Sequence, residues 1–295
     1  MTCIPTWENV TFFSVQFHVL IRASCFVESK TPAYLQYDFP AYSKGDVHSG
    51  PSNASRREIG HGALAEKSIL PILPPARTFP YAVRITSEVT SSNGSSSMAS
   101  VCGATLSLLD AGVPIRAPAA GVSIGAVVDK ENGSYGLMVD LTGTEDHYGV
   151  MDFKIAGTSN SVTGFQLDVK HPLPMSLIAE ALHLSKACRN AILKEMEAQC
   201  TRSSDGALVG LRPRSELKSS APRVEVVRFS PERKKDLLGP GGVVARQMED
   251  RFDVSMDLTQ EGQCLLFGDD KEMVKKAKNA VMDLVSDVEV GLTYE

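Results

Sequence analysis

Residues 81–89 read YAVRITSEV, with apolar and polar side chains alternating and β-branched residues enriched, which predicts a half-buried strand. The period then changes. Residues 96–112, SSMASVCGATLSLLDAG, bring Met98, Val101, Leu108 and Leu109 onto helical spacing. They open on serines and close on glycine, as a capped helix does. VSIGAVVD and SYGLMVDLTG flank the turn KENG at 130–133 and predict a β-hairpin. DFKIAG and VTGFQLDVK (162–170) predict two more strands. Residues 175–200 carry an apolar helical stripe through Leu177, Ile178, Ala181, Leu182 and Ile192. Mixed strands and helices with short connections predict an α/β or α+β domain over residues 34–200.

The pattern breaks at Thr201. Residues 201–221 are polar, bear Gly and Pro, and set Arg202, Arg212, Arg214 and Lys218 against Asp205 and Glu216, as a mildly basic linker does. A second unit follows over 222–287, in the order strand RVEVVRF, helix PERKKDLL, loop GPGG, helix VVARQMEDRF, strands DVSMDL and CLLFG, and a final helix. At the other end, residues 10–27 form an apolar run interrupted by Gln16, His18 and Arg22. A membrane span needs about 20 mostly apolar residues, so none is expected there. Residues 1–33 are left between a buried strand and a leader segment.

Composition narrows the partners. With 295 residues, 43% hydrophobic and 22% charged, the chain can bury an ordinary core. Its formal net charge of −5 gives no overall basic field, so any nucleic-acid contact must be local. Six cysteines are scattered without a CxxC pair, which predicts reduced thiols rather than a disulfide frame or a zinc site.

Four stretches carry candidate chemistry. In LLGPGGVV, Gly239, Pro240, Gly241 and Gly242 join two short helices, and a backbone without side chains can approach a phosphodiester closely. The surrounding order of elements fits a type I KH module, whose GxxG loop clamps about four nucleotides of single strand. No GK[ST] follows, which excludes a P-loop. In SSNGSSSMAS, Ser95, Ser96 and Ser97 stand where hydroxyls and free helix N–H groups converge, either as an oxyanion site or as an ordinary serine N-cap. SRREIGHG offers Arg56 and Arg57, whose planar forks suit phosphate but also suit plain solvent exposure, and His61 between two glycines. In EDHYGVMDFK, Asp146 and Asp152 stand six residues apart, with Lys154 beyond them. An extended chain would separate the two acids by about 20 Å. Sharing one Mg²⁺ requires oxygens at about 2.1 Å from the ion, so the chain must fold back, and Gly149 is the expected place. If MDFKIAG is a strand, Asp152 and Lys154 share one face, with Met151 and Phe153 on the other. A salt-bridged hairpin is the competing account.

Together, RREIGHGALAEK, FPYAVRITSEV, SNGSSSMASVCG, LDAGVPI, EDHYGVMDFKIAG and the GPGG loop resemble the polynucleotide phosphorylase family, in its order and with similar spacing. The resemblance covers residues 34–295. It implies an α+β chain: an RNase PH-like domain at 34–200, a linker at 201–221, a type I KH domain at 222–287, and at 288–295 the start of an OB-fold domain that this chain lacks. It implies phosphate binding by Ser95, Ser96 and Ser97, and RNA contacts from Arg56, Arg57, His61 and the GPGG loop. It also implies Mg²⁺ (or Mn²⁺) on Asp146 and Asp152, with Lys154 stabilising charge at phosphorus. The implied reaction is 3′→5′ phosphorolysis of single-stranded RNA by inorganic phosphate, releasing nucleoside diphosphates, in a homotrimer. A non-catalytic RNA-binding fragment or scaffold subunit, and a hydrolytic exonuclease, are the alternatives. Val150 departs from the family's G-D-M-D-F-K, which predicts a less acidic metal site. GALAEKSILPILP is closer to organellar versions and predicts a mitochondrial location.

Overall fold

The computed structural model describes residues 14–22, 33–44, 56–75, 78–129, 134–200, 210–217 and 221–286, with 14–22, 44, 56 and 57 described in backbone only. The KENG turn, most of the linker, residues 288–295 and most of residues 1–33 therefore lie outside the described residues. The chain divides into two compact units. The first holds most described residues up to Glu216, and the second gathers residues from Leu217 onward with the short stretch 75–83.

At the heart of the first unit is a four-stranded antiparallel sheet in the order β5-β4-β6-β7, built from β4 (Ala120–Val128), β5 (Tyr135–Val139), β6 (Met151–Gly157) and β7 (Val162–Val169). The predicted hairpin is therefore present as the β4–β5 pair. Alternation along β4 sorts its side chains by size. Val122, Ile124 and Ala126 join Met151, Phe153 and Ile155 of β6 against Leu177 and Ala181 of the long helix α4 (Met175–Cys200). The intervening positions are Gly121, Ser123 and Gly125, which leave the opposite face low and open. Helix α2 (Ser96–Asp110) packs there, and a Cβ on Gly121 would come within 2.9 Å of Met98 backbone atoms. Helix α1 (Arg56–Ile69) lies over β7, where Gly164 leaves no room for a Cβ beside Ser68.

A second sheet orders its strands β1-β3-β2, from β1 (Ser14–Arg22), β2 (Ala33–Asp38) and β3 (Ala82–Ser91). Of the two expectations for the N-terminal run, a strand is thus found at 14–22.

One element differs from expectation. EDHYG is not the turn of a hairpin. Gly143–Tyr148 forms a short helix, α3, opened by a capping box in which Thr142 accepts from the Glu145 N–H and the Glu145 carboxylate accepts from the Thr142 N–H. Asp146 therefore stands on a helix, and Gly149 is its C-cap. The chain does reverse between the acids, but by helical winding.

The second unit runs β8 (Arg223–Arg228), α5 (Lys234–Leu238), α6 (Val243–Phe252), β9 (Ser255–Leu258), β10 (Gln263–Gly268) and α7 (Lys271–Val285). Its antiparallel sheet is ordered β8-β10-β9, and Val227, Leu237, Val254, Leu266, Val274 and Val281 fill its core. Asp270 caps α7 by accepting from the Glu272 and Met273 N–H groups. Between α5 and α6, Gly239, Gly241 and Gly242 all have positive φ (65°, 63° and 78°), a region costly for residues with a Cβ. No helix of the described residues is long and apolar enough to cross a membrane.

The Gly121 contact is with backbone, which cannot swing aside. Gly121→Ala is expected to lower the stability of the first unit by about 1–3 kcal/mol, measured as a lower urea midpoint for its unfolding transition.

Candidate active site

Sheet register decides what faces what. In the β4–β6 ladder Gly125 lies opposite Asp152 and Ser123 opposite Lys154. Directly opposed residues share a face, so both charged side chains stand on the small-residue side of the sheet, toward the start of α2. The expected division of β6 is met: Met151 and Phe153 pack against α4, while Asp152 and Lys154 point the other way. Both are nonetheless buried, at 9% and 7% exposure. Lys154 Nζ donates to Asp152 Oδ2 at 2.5 Å. Asp152 Oδ1 is buried and has no hydrogen-bond partner.

The loop between β3 and α2 brings the serines to this face. Ser95 is the N-cap residue of α2, but its hydroxyl makes no capping bond and is buried without a partner. The ordinary N-cap account therefore does not hold for Ser95. Ser96 is tied differently, with its Oγ 2.6 Å from the Tyr37 hydroxyl. Ser97 Oγ is also buried without a partner. A buried hydroxyl left unpaired costs about 1–3 kcal/mol, and such groups in a folded protein point to a missing ligand or water.

These pieces meet. A narrow cavity of about 20 Å³ is lined by Ser95, His61, Ser123, Asp146, Asp152 and Lys154, among others. It shares Gly94, His61, Gly143 and Asp146 with a wider pocket of about 430 Å³ that Tyr37, Phe39 and Ser96 also line. Five predicted residues, Ser95, His61, Asp146, Asp152 and Lys154, thus surround one space. Ser96 borders the wider pocket, and Ser97 lines neither. Arg56 and Arg57 open α1, but their side chains lie outside the described residues. Gly239, Pro240, Gly241 and Gly242 belong to the second unit.

Sequence reasoning missed Ser123, whose Oγ accepts from the Leu141 N–H at 3.1 Å, and Tyr37; neither has a local motif. Val150 lines neither space and packs against the apolar cluster on the α4 side. No group of three or more His, Cys, Asp or Glu suited to a metal occurs among the described residues. Two acidic residues from different elements, Asp146 on α3 and Asp152 on β6, line the cavity. Burial raises the Asp152 carboxyl above its ordinary value of 3.8, Lys154 opposes that rise, and Asp146 and Asp168 add to it. The thiols are set apart from this chemistry: burial pushes Cys102 up to about 11 and Cys264 up to about 12, which keeps both protonated and inert.

Residues 19–114 match the model of the 3′ exoribonuclease family, domain 1 (RNase PH). Over most of its length it is also similar to polyribonucleotide nucleotidyltransferases. It is 42% identical over 271 residues to that of Clostridioides difficile (strain 630), covering 91% of this chain and 37% of that protein. With that of Enterococcus faecalis (strain ATCC 700802 / V583) it shares 41% over 259 residues, covering 88% of this chain and 35% of that protein. For Koribacter versatilis (strain Ellin345) the figures are 41% over 268 residues, 90% and 31%. The chain spans about a third of the length of the curated relatives it matches.

The raised Asp152 carboxyl has a testable sign. The folded state holds a proton that the unfolded chain releases, so the stability due to this group falls as pH rises from the ordinary 3.8 through the raised value. Lys154→Met removes the opposing charge and widens that window. Urea titrations are expected to show the variant losing more stability at neutral pH than at mildly acidic pH, relative to the unsubstituted chain.

Proposed function

We propose that the chain belongs to a polyribonucleotide nucleotidyltransferase that degrades single-stranded RNA from its 3′ end by phosphorolysis. One observation carries the reading: an unpartnered buried hydroxyl at Ser95 and an unpartnered buried carboxylate oxygen at Asp152 border the same cavity. The first suits an oxyanion, the second a cation, and their closeness suits a reaction between a phosphate ion and a phosphodiester.

In this reading Ser95, whose hydroxyl has no partner beside the cavity, leads the binding of inorganic phosphate in reach of the RNA terminus; Ser96 borders the wider pocket next to it, and Ser97 supports the same turn from behind. Arg56, Arg57 and His61 contact the RNA. A phosphate oxygen forms a bond to the phosphorus of the terminal phosphodiester, and the 3′ oxygen of the preceding ribose leaves with the bonding pair and takes up a proton. The products are a nucleoside diphosphate and an RNA shorter by one nucleotide. The Lys154 ammonium, buried at the cavity wall, stabilises charge gathering on the phosphoryl oxygens. Asp146 and Asp152 fit Mg²⁺, which is commonly held by one or two carboxylates together with water and substrate phosphates; Mn²⁺ suits the same oxygens. When bound, the ion supplies Lewis acidity and orients the phosphates.

The second unit is proposed as a type I KH domain. Its β-α-α-β-β-α order supports this, as do the three positive-φ glycines of the loop. Space is open beyond Gly241 and Gly242, and Lys235 and Arg246 are exposed nearby. Lys234 is engaged with the Leu258 carbonyl. We extend the proposal to a homotrimer, to be read by light scattering, and to a mitochondrial location, to be read by imaging the tagged full-length protein.

The deciding experiment incubates the chain with a single-stranded oligoribonucleotide, Mg²⁺ and labelled phosphate. Labelled nucleoside diphosphates are expected only when phosphate is present, and Asp152→Asn is expected to slow their release about 10²-fold or more. Monophosphates formed without phosphate would instead mean hydrolysis, and RNA binding without products would mean a scaffold. Gly241→Asp places a negative side chain in the open space of the loop, at a φ that Asp tolerates. It is expected to weaken oligoribonucleotide binding about tenfold in fluorescence anisotropy while leaving the melting of the second unit within a few degrees.

A further inference from the structure

We propose that Asn93 is a positioning residue that fixes the span between the serine loop and the Asp146-bearing helix α3. Its kinetic consequence rests on the phosphorolysis reading above; its structural part does not.

Helix α3 has six residues and none of them is buried. Isolated helices shorter than about 12–15 residues are marginal in water, and no apolar side chain anchors this one to the sheet. Leu141, two residues before it, is buried against Gly125 of β4, and from there onward the helix is held by polar tethers. At its N-terminal end the Thr142–Glu145 capping box closes the first turn, and the Leu141 N–H just before it donates to Ser123 Oγ. At its C-terminal end Lys170 Nζ, beyond β7, donates to the carbonyls of Asp146 and His147, and the Val150 N–H donates to the Ala126 carbonyl. All of these tie α3 to itself or to the β4–β6–β7 part of the sheet.

Asn93 is different because it belongs to the loop that delivers Ser95. Its Oδ1 accepts from the Gly143 N–H, the first residue of α3, at 3.2 Å. A first-turn N–H has no partner inside its own helix, so the side chain from the serine loop supplies one. One residue separates Asn93 from Ser95 and two separate Gly143 from Asp146. The bond thus bridges the loop that bears Ser95 and the helix that bears Asp146. Without it, Leu141 and the tethers named above still hold α3 to the sheet, and none of them reaches the serine loop.

The test compares Asn93→Ala with Asn93→Asp, which keeps an Oδ acceptor of the same reach. Hydrogen–deuterium exchange of the 295-residue chain is the first readout. In Asn93→Ala, amides of residues 143–149 should exchange at least tenfold faster while those of β6 are unchanged, and Asn93→Asp should restore protection. Phosphorolysis is the second. Asn93→Ala should lower kcat roughly 10- to 100-fold while the KM for phosphate stays within threefold, and Asn93→Asp should recover kcat, since a small misplacement at this range costs rate rather than anion binding. Unchanged exchange in α3, or faster exchange with kcat intact, would overturn the assignment. If the unsubstituted chain releases no diphosphates, the phosphorolysis reading fails, and the exchange result alone supports or overturns the tether.

Discussion

The buried pair on β6 constrains everything around it. A lysine and an aspartate sit two residues apart on a strand that is covered on both sides, and removing two charges from water costs several kcal/mol per ion before any attraction is counted. Replacing such a pair by apolar residues of similar volume is often neutral or stabilising, so fold stability does not explain its presence. What the geometry adds is a direction. Lys154 donates to Oδ2, while Oδ1 of the same carboxylate is buried without a partner in a residue that lines the cavity. One carboxylate oxygen is satisfied and the other bare, which is the asymmetry that the proposed cation would remove.

That arrangement requires room, and β4 provides it. Gly125 and Ser123 stand directly across from Asp152 and Lys154, while the larger Val122, Ile124 and Ala126 point to α4. Gly121 lets the first turns of α2 approach to backbone contact, and a Cβ on Gly125 would collide with Leu141. The alternation of small and large residues along one strand therefore performs two tasks. It builds a conventional apolar layer on one side and a shallow polar bay on the other, into which the serine loop and the acidic helix reach.

Much of this was legible in the sequence, because strand alternation and helical stripes are local signals. AGVSIGAVV, MDFKIAG and the stripe of residues 175–200 became β4, β6 and α4 as their periods indicate. Alternation also placed Asp152 and Lys154 on one face before any coordinates. The acidic stretch was misread for an equally local reason: attention to Gly149 obscured the T-x-x-E capping box at Thr142 and Glu145, a readable helix start. Tyr37, Ser123 and Asn93 were not legible at all. Each acts through a partner 18 to 59 residues away, and only tertiary packing brings such pairs together.

Val150 shows how structure changes the weight of a substitution. By sequence it removes an acid from the metal-binding stretch. In the fold, residue 150 precedes β6, its N–H is tied to the Ala126 carbonyl, and its side chain joins the apolar cluster with Leu137 and Leu167. An aspartate at this place would press a charge against that cluster, at the desolvation cost of a half-buried carboxylate. The valine thus omits a negative charge from the α4 side of the sheet and adds apolar contact, while the two carboxylates that border the cavity keep their places. Burial above all, and then the charges of Asp146 and Asp168, raise the carboxyl of Asp152, so the absence of a third acid favours its ionised form, the form a cation would need. The local acidity lost by this exchange and the charge state of the remaining ligand act in opposite directions, and the exchange is compatible with a working cation site.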